Sequence, residues 1–344
     1  MAIDLTAILA FAKEQGASDV HIVPGMPPVL RLRGETRPLE MTPLTPDDTR
    51  VAIYDLLNDE QKKVFEERHD LDFAFEVPNL SRFRANVLIQ RLGVGAVFRL
   101  VPSTVLSLEQ LALPPVLRQL SQLERGLVVV TGPTGSGKST TLAAMIDFIN
   151  TNERLHILTI EDPIEFVHQP KKSIVTQREV GPHTGSFANA LKSALREDPD
   201  VILVGEMRDL ETISLALTAA ETGHLVFGTL HTSSAAKTID RIIDVFPSGQ
   251  QGQIRTMLSE SLEAVIAQRL LKKKGGGRVA ATEILVGVPA VRNLIREAKL
   301  HQIPSAMQTG SQHGMQTMDA ALADLQKKGL LDRPPASLKT GTDA

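Results

Sequence analysis

The first hundred residues combine one short helical pattern with a long stretch of strand-like alternation. Apolar positions between residues 5 and 12 recur at helical spacing, and Gly16 follows as a stop signal. From residue 19 to about residue 101, apolar and polar positions alternate with a period of two, interrupted by one helical stretch over residues 46–69. The pattern predicts a small α+β domain over residues 1–100.

After residue 115 the pattern changes to alternating apolar strands and helices. Residues 101–115 are predicted to be a linker, and the next domain extends over residues 116–330. Its predicted strands are LVVVTG, HILTIED, VILVGE and LVFGTLHT, and two of its helices fall at about 187–196 and 209–221. This order is typical of an α/β domain with a parallel sheet. Beyond residue 250 the pattern is helical, and residues 331–344 are predicted to be a frayed tail.

Composition and charge limit which classes of protein this chain can belong to. The 344 residues carry 37 basic and 40 acidic side chains, a net charge of −3, so no global basic field favours nucleic acid. Cysteine is absent, which excludes disulfides and thiolate metal sites. Asp4 stands where a signal peptide would be basic, and no apolar run reaches the roughly 18 residues of a membrane span. We expect a cytosolic or peripheral protein.

The segment GPTGSGKS, residues 132–139, matches the pattern G-x-x-x-x-G-K-[ST] between an apolar strand and a helix. Its glycines let backbone N–H groups converge on phosphates, and the helix N-terminus adds partial positive charge. Lys138 is expected to reach the β and γ phosphates of ATP, and Ser139 to bind Mg²⁺. The loop therefore predicts a nucleoside triphosphate site. Its predicted binding residues are Gly132, Pro133, Thr134, Gly135, Ser136, Gly137, Lys138, Ser139 and Thr140.

Acidic residues follow two of the predicted strands. Glu206 ends VILVGE, the place of a Walker B acid, although the usual Asp is missing. It is expected to orient or deprotonate the attacking water, or to hold Mg²⁺. Carboxyl ends of parallel strands share one edge, so Glu161, Asp162 and Glu165 can join Glu206 near the phosphates. Glu165 is the second candidate for the general base, and a charged turn is the alternative for this acidic segment.

Two histidines bracket the strand of GHLVFGTLHT, residues 223–232. His231 follows a strand that is expected to neighbour the loop strand, where an imidazole can sense a γ phosphate. His224 precedes the same strand and is assigned to nucleotide binding. A satisfied structural histidine is the alternative for each.

Together, GPTGSGKST, TIEDPIEF, LVGEMRD and TGHLVFGTLHT resemble the motifs of the secretion ATPase superfamily, the hexameric motors of type II and type IV secretion and of type IV pili. RFRAN, LREDPD and AAKTIDR extend the resemblance over most of the chain. It implies a RecA-like P-loop ATPase domain with a parallel sheet, joined to a smaller PAS-like N-terminal domain.

Within this family the chain is most similar to the motors that retract type IV pili. It shows no counterpart of the long extra N-terminal region of the extension motors. AVRNLIRE, residues 290–297, resembles the retraction signature AIRNLIRE, with Val291 in place of Ile. In the retraction motors this helix is needed for pulling rather than for hydrolysis. On periodicity alone, Arg292 and Arg296 are solvated charges on one helix face.

The resemblance also implies four catalytic arginines, which are Arg84, Arg99, Arg196 and Arg208. The first two lie on strands joined by LGVG, and a two-residue loop at 93–94 would place them on one face of the hairpin. A planar guanidinium suits the charge that develops on a transferred phosphate. Surface charge is the alternative for this pair.

The expected function is therefore a homohexameric ATPase that uses ATP and Mg²⁺ to retract type IV pili and so drive twitching motility. The resemblance implies a cytoplasmic protein, peripheral at the inner membrane, with a pilus platform protein as partner. A RecA-like nucleic-acid motor is one alternative, but aromatic residues are 3% with no Trp, which leaves few stacking platforms for single strands. A low-turnover regulatory paralogue of a pilus motor is the other.

Overall fold

The computed structural model describes residues 3–32, 34–102 and 104–331. The chain forms two compact units. The first runs to Thr104 and includes Glu165–Val167, and the second comprises Val105–Ile164 and the chain from His168 onward. Leu331 is buried, whereas the rest of the predicted tail lies outside the described residues.

The first unit is an antiparallel sheet covered by helices, the α+β arrangement that the sequence predicts. Its strands have the order β3-β2-β1-β6-β5-β4. Phe83 and Phe98 of the sheet are fully buried in one cluster with Leu9 and Phe65 from the helices. The elements are α1 (Leu5–Glu14), β1 (Asp19–Ile22), β2 (Val29–Leu32), β3 (Glu35–Pro38), α2 (Pro46–Tyr54), α3 (Asp59–Arg68), β4 (Asp70–Val77), β5 (Ser81–Gln90) and β6 (Gly93–Val101).

Residues 46–69 form two helices, so the prediction of a single helix is wrong. Asn58, between α2 and α3, caps the second helix: its side chain accepts from the Gln61 N–H at 2.8 Å, and the Gln61 side chain accepts from the Asn58 N–H at 3.0 Å. This reciprocal capping box begins a new helix at Asp59.

Strands β5 and β6 form a hairpin whose two loop residues are Arg91 and Leu92, not residues 93–94. In this register Arg84 lies directly opposite Arg99. Directly opposed residues of an antiparallel pair project from the same face. The predicted shared face of the two arginines is confirmed, with a different loop and pairing.

The second unit is a seven-stranded sheet with the order β13-β12-β7-β11-β10-β8-β9. Five neighbouring pairs, from β12·β7 to β8·β9, are parallel, and β12·β13 is antiparallel. The elements are α4 (Val116–Leu120), β7 (Gly126–Thr131), α5 (Lys138–Asn152), β8 (His156–Glu161), β9 (Ile174–Glu179), α6 (Phe187–Ala194), β10 (Val201–Val204), α7 (Leu210–Glu221), β11 (Leu225–Leu230), α8 (Ala235–Asp244), α9 (Ser248–Ser261), β12 (Leu262–Lys272), β13 (Arg278–Val286), α10 (Pro289–Arg296), α11 (Ile303–Thr309) and α12 (Met318–Lys327).

Helices cover both faces of this sheet. Along β7, Leu127 and Val129 pack into the hydrophobic cluster on one face, and Val128 and Val130 into the cluster on the other. A strand buried on both faces has a continuous apolar run instead of alternation. This explains why LVVV precedes the phosphate loop.

Beyond residue 250 the helical prediction is wrong for two segments. Strands β12 and β13 form an antiparallel hairpin that joins the sheet through β12. The apolar run of β12 is buried on both faces, so it lacks the period-two signal of a half-exposed strand. Strand β9, at the other edge of the sheet, was also not predicted.

The second unit begins within the predicted linker. Leu108 and Leu113 are buried in the same cluster as α4 and α5, so this part of the segment packs into the core of the second unit. Among the helices of the described ranges, none combines the length and apolarity needed to cross a bilayer.

Candidate nucleotide site

The loop between β7 and α5 has glycine where other residues would be strained or would collide. Gly132, Gly135 and Gly137 have φ values of 145°, 78° and 87°. A Cβ on Gly132 would lie 2.4 Å from the backbone oxygen of Gln268, and one on Gly137 would lie 2.8 Å from its Nε2. A Cβ on Gly135 would meet nothing within 4 Å. The loop is therefore packed against β12 on one side and open at its tip.

The start of α5 presents donors that suit an anion. The helix begins after Gly137 with no side-chain cap and no acidic residue in its first turn. Its first N–H groups and the helix dipole therefore favour a phosphate. Ser139 is exposed beside them, and the buried Ser136 hydroxyl has no hydrogen-bond partner within the described part of the chain. Such an orphaned donor fits a ligand oxygen.

Lys138 points back over the loop. Its Nζ donates to the carbonyl oxygens of Gly132 at 2.9 Å and Pro133 at 3.4 Å. Burial lowers the pKa of Lys138, and the negative charge of Glu206 partly opposes that shift. Two neutral carbonyls are weak partners for an ammonium group, so a phosphate would be the stronger acceptor.

Glu206 is the centre of a charged cluster. Its Oε1 lies 2.5 Å from Arg208 Nε and 3.1 Å from His231 Nε2, while His231 Nδ1 lies 3.5 Å from Lys138 Nζ. These residues follow β10, β11 and β7, which are adjacent in the sheet. The expectation that the histidine strand neighbours the loop strand is confirmed.

The partners of His231 determine its tautomer when the ring is neutral. Lys138 can only donate, and an ionised carboxylate can only accept. Nδ1 therefore carries the lone pair, and Nε2–H donates to Glu206. A single imidazole thus links Lys138, the residue expected to hold the phosphates, to Glu206, the residue expected to act on water.

Glu206 is held ionised. Burial by itself raises the pKa of this carboxyl, but the hydrogen bond and charge of Arg208, with the charges of His231 and Lys138, lower it below its usual value. The same pairing raises the pKa of Arg208. An ionised Glu206 can accept a hydrogen bond from water or bind a cation.

Threonines fix the position of the histidine segment. Thr131, the last residue of β7, accepts through Oγ1 from the Thr232 N–H at 2.9 Å. The hydroxyl of Thr232 lies 2.7 Å from that of Thr131 and 2.6 Å from that of Thr238 in α8. Thr232, the residue after His231, is therefore hydrogen-bonded directly to β7, the strand that leads into the phosphate loop.

The acidic residues of the segment 161–165 lie in different surroundings. Glu161 is buried, and its Oε1 accepts from the Thr159 hydroxyl at 2.7 Å and from Gln177 at 3.2 Å. Asp162 is exposed, and its charge contributes to the raised pKa of Arg208. Glu165 belongs to the first unit.

His224 and Arg196 are two further predicted site residues. His224 precedes β11, at the opposite end of that strand from His231, and six strand residues span about 20 Å. Its Nδ1 lies 2.9 Å from the Ala219 carbonyl oxygen. The geometry thus does not support a role for His224 at the phosphate edge of its own chain. Arg196 is exposed just after α6.

The two arginines of the first unit both have acidic partners. Arg84 Nη1 lies 3.3 Å from Glu165 Oε1, with the Arg84 side chain half-buried and that of Glu165 exposed. Arg99 Nε donates to Oδ1 of the buried Asp19 at 2.8 Å. Burial acts to raise the pKa of Asp19, but hydrogen bonds from Arg99 and Ser18 lower it.

Gln268 of β12 is a buried residue at the loop that the sequence analysis missed. Its side chain bonds both the loop and α5. The sequence signal that could have identified Gln268 is a lone amide within the apolar run LEAVIAQRLL. The sequence analysis did not use this signal, because it interpreted the segment as helical.

The donors at this edge suit ATP with a magnesium ion. Ser139 and Glu206 supply oxygen ligands of the type that Mg²⁺ prefers. Within the described ranges, no group of three or more His, Asp or Glu side chains is arranged to hold a metal ion by itself. In P-loop proteins the phosphates complete the coordination of the metal.

Comparison with known proteins identifies the family. The family of type II/IV secretion system proteins matches residues 1–276. The chain belongs to this family. The type IV pilus retraction ATPase PilT of Pseudomonas aeruginosa is 60% identical over 336 residues, 98% of each chain. A twitching motility protein of Neisseria gonorrhoeae is 59% identical over 305 residues, 88% of this chain and 82% of that protein.

A solved structure agrees with this assignment. The crystal structure of the pilus retraction motor PilT with bound ADP superimposes with a TM-score of 0.90 at 52% identity, covering 96% of this chain and 94% of that one. The predicted RecA-like P-loop fold is confirmed.

Proposed function

We propose that this chain is the ATPase that retracts type IV pili and thereby drives twitching motility. The observation that carries the proposal is the identity of 60% to a pilus retraction ATPase along 98% of both chains. The geometry supports it, because the phosphate loop, His231 and Glu206 come together at one edge of the sheet. The chain is thus an ATP hydrolase that converts the free energy of hydrolysis into mechanical work.

The residues at this edge have distinct roles in hydrolysis. The loop N–H groups and Lys138 hold the phosphates, with Lys138 exchanging its carbonyl partners for phosphate oxygens. Glu206 orients the attacking water and accepts its proton. His231 bridges Lys138 and Glu206, so that a change at the γ phosphate is transmitted to the carboxylate. Arg208 holds Glu206 in place.

Magnesium is the expected metal. Ser139 and Glu206 would hold it together with the phosphates, and it would neutralise charge that develops on the phosphoryl oxygens. Arg84, Arg99 and Arg196 are proposed to add cations at the nucleotide, as the family resemblance implies.

The working assembly is proposed to be a homohexamer at the cytoplasmic side of the inner membrane, acting on a pilus platform protein. This assignment rests on the resemblance to the retraction motors. Nucleic acid is not proposed as a partner, because the chain is acidic overall and poor in aromatic residues.

The test combines activity, mass and motility. We expect the purified protein to hydrolyse ATP, to show the mass of six chains, and to be indifferent to single-stranded DNA. In cells that lack their own retraction ATPase it should restore twitching, while Lys138→Ala should abolish hydrolysis and twitching together. DNA-stimulated turnover would favour a nucleic-acid motor. Normal binding of ATP with negligible turnover by the native protein would favour a regulatory paralogue.

A further inference from the structure

Gln268 occupies a buried position between the phosphate loop and the sheet. It is 2% exposed and follows Ala267, the residue of β12 that pairs with Thr131 at the end of β7. The side chain is therefore directly beside the point where β7 turns into the phosphate loop. A fully buried amide must have its polar atoms satisfied, and here the loop itself supplies the partners.

The amide makes one hydrogen bond at each end. Its Nε2 donates to the backbone oxygen of Ser136 at 2.7 Å, and its Oε1 accepts from the Thr141 hydroxyl at 2.7 Å. Thr141, in the first turn of α5, is 2% exposed. One side chain thus connects the loop, the start of α5 and the strand next to β7.

The bond to Ser136 fixes the direction of a peptide group. In a planar trans peptide the C=O and the following N–H point in opposite directions. Because the Ser136 carbonyl points at Gln268, the N–H of Gly137 must point away from β12. Gly137 permits this close packing, since a Cβ there would lie 2.8 Å from Gln268 Nε2.

We propose that Gln268 is a positioning residue for the nucleotide: it orients the 136–137 peptide so that the Gly137 N–H faces the bound phosphates, and it holds α5 in register through Thr141. The proposal rests on the proposed ATPase function, and it assigns to β12 a role in shaping the phosphate loop. Gln268 acts through the loop and does not itself touch the phosphates.

The first test compares Gln268→Met with Gln316→Met. Gln316 is a matched control, because its amide donates to the backbone oxygen of Thr282 at 2.6 Å on the same hairpin but away from the loop. Loss of two hydrogen bonds should weaken ADP binding by about tenfold or more in Gln268→Met. ADP affinity should stay at the native value in Gln316→Met, with melting temperatures of the nucleotide-free proteins measured in parallel. Native ADP affinity in Gln268→Met would overturn the proposal.

A second pair of variants keeps the test decisive if Gln268→Met does not fold. Thr141→Val removes the hydroxyl at nearly constant shape, whereas Thr141→Ser retains it. We expect Thr141→Ser to bind ADP several-fold more tightly than Thr141→Val. Equal affinities for both would contradict the proposal. ADP binding is measured without turnover, so native protein that binds ADP but fails to hydrolyse ATP would refute the ATPase function alone.

Discussion

At the scale of single residues, Glu206 is the side chain on which the catalytic proposal depends. Glu206→Gln preserves the shape but cannot accept a proton, so we expect ATP binding to persist while turnover falls by at least about 100-fold. Binding of a fluorescent ATP analogue and steady-state phosphate release measure the two separately. Glu165→Gln is the matched control. If it has the larger effect on turnover, Glu165 is the base and Glu206 is mainly a metal ligand.

His168 is a buried residue outside the catalytic cluster that should make stability depend on pH. Burial lowers its pKa from 6.5 to about 4, with the charge of Asp147 raising it and that of Lys171 lowering it. The unfolded chain therefore binds a proton between pH 6.5 and 4 that the folded chain does not. The contribution of the neutral imidazole to the free energy of unfolding is complete above pH 6.5 and is lost as the pH falls. At pH 5 the free energy of unfolding is lower by about 2 kcal/mol than above pH 6.5.

We expect the melting temperature of His168→Leu to fall less than that of the native protein between pH 7 and pH 5, because leucine has no titratable group and unfolding therefore takes up no proton at this position. His301→Gln serves as the control, because His301 is exposed. Thermal melts across this pH range test the prediction. If the melting temperature falls equally with pH in the native protein and in His168→Leu, another group controls the loss of stability in acid.

Residues carried by local motifs were predictable, and those defined by tertiary contacts were not. Lys138, Glu206 and His231 follow strands, and the edge of a parallel sheet brings them together. Gln268 lies 132 residues after Ser136 in the chain, and it reaches the loop only because β12 lies beside β7. The local sequence pattern does not reveal that the two strands are neighbours. His224 lies far from this edge because it precedes β11, whereas the edge is formed by residues that follow the strands.

At the scale of elements, the hairpin of β5 and β6 carries two opposed arginines whose acidic partners differ in burial. Arg99 bonds Asp19, whose side chain is 7% exposed, whereas the Arg84 partner Glu165 is 49% exposed. Arg99→Ala leaves a buried carboxylate short of a donor and should cost about 1–2 kcal/mol of unfolding free energy. Arg84→Ala should cost less than about 1 kcal/mol.

Denaturant unfolding measures these costs, and ATP turnover is expected to fall in both variants on the proposed function. Simple surface charge, the alternative for this pair in the sequence analysis, would leave stability nearly unchanged in both variants, and the contact with the buried Asp19 alters that expectation for Arg99. Equal stability of the two variants would show that Asp19 finds sufficient partners in Arg31 and Ser18.

Helix α10 is another element whose charges are not equivalent. Arg292 donates to the backbone oxygens of Gly287 at 2.6 Å, Ser259 at 3.0 Å and Glu260 at 2.6 Å, and to Glu263 Oε1 at 2.7 Å. The interpretation of Arg292 as a solvated charge, which rests on periodicity alone, is therefore wrong: Arg292 caps the end of α9. Periodicity places Arg292 on the polar face correctly, but it cannot show that the end of α9 lies there.

Arg292→Ala should destabilise the protein by about 2–4 kcal/mol, because several charge-assisted hydrogen bonds are lost and carbonyl groups are left without donors. Arg296→Ala, an exposed arginine one turn later, should change stability by less than about 0.5 kcal/mol. Urea denaturation distinguishes the two. A native-like midpoint for Arg292→Ala would mean that water replaces the guanidinium at little cost.

At the scale of the whole molecule, hydrolysis must be coupled to pulling, and Arg296 offers a way to separate them. It is exposed on α10, within the segment that resembles the retraction signature, while Val291 and Ile295 of the same helix are fully buried. Arg296→Glu should therefore leave the fold and ATP turnover near native values and abolish retraction, seen as surface pili that persist without twitching. Lys299→Glu, a charge reversal just after the helix, is the control for nonspecific charge effects. Loss of turnover in Arg296→Glu would place α10 inside the catalytic cycle. Normal twitching would make Arg296 an ordinary solvated charge and place the output surface elsewhere in the proposed hexamer.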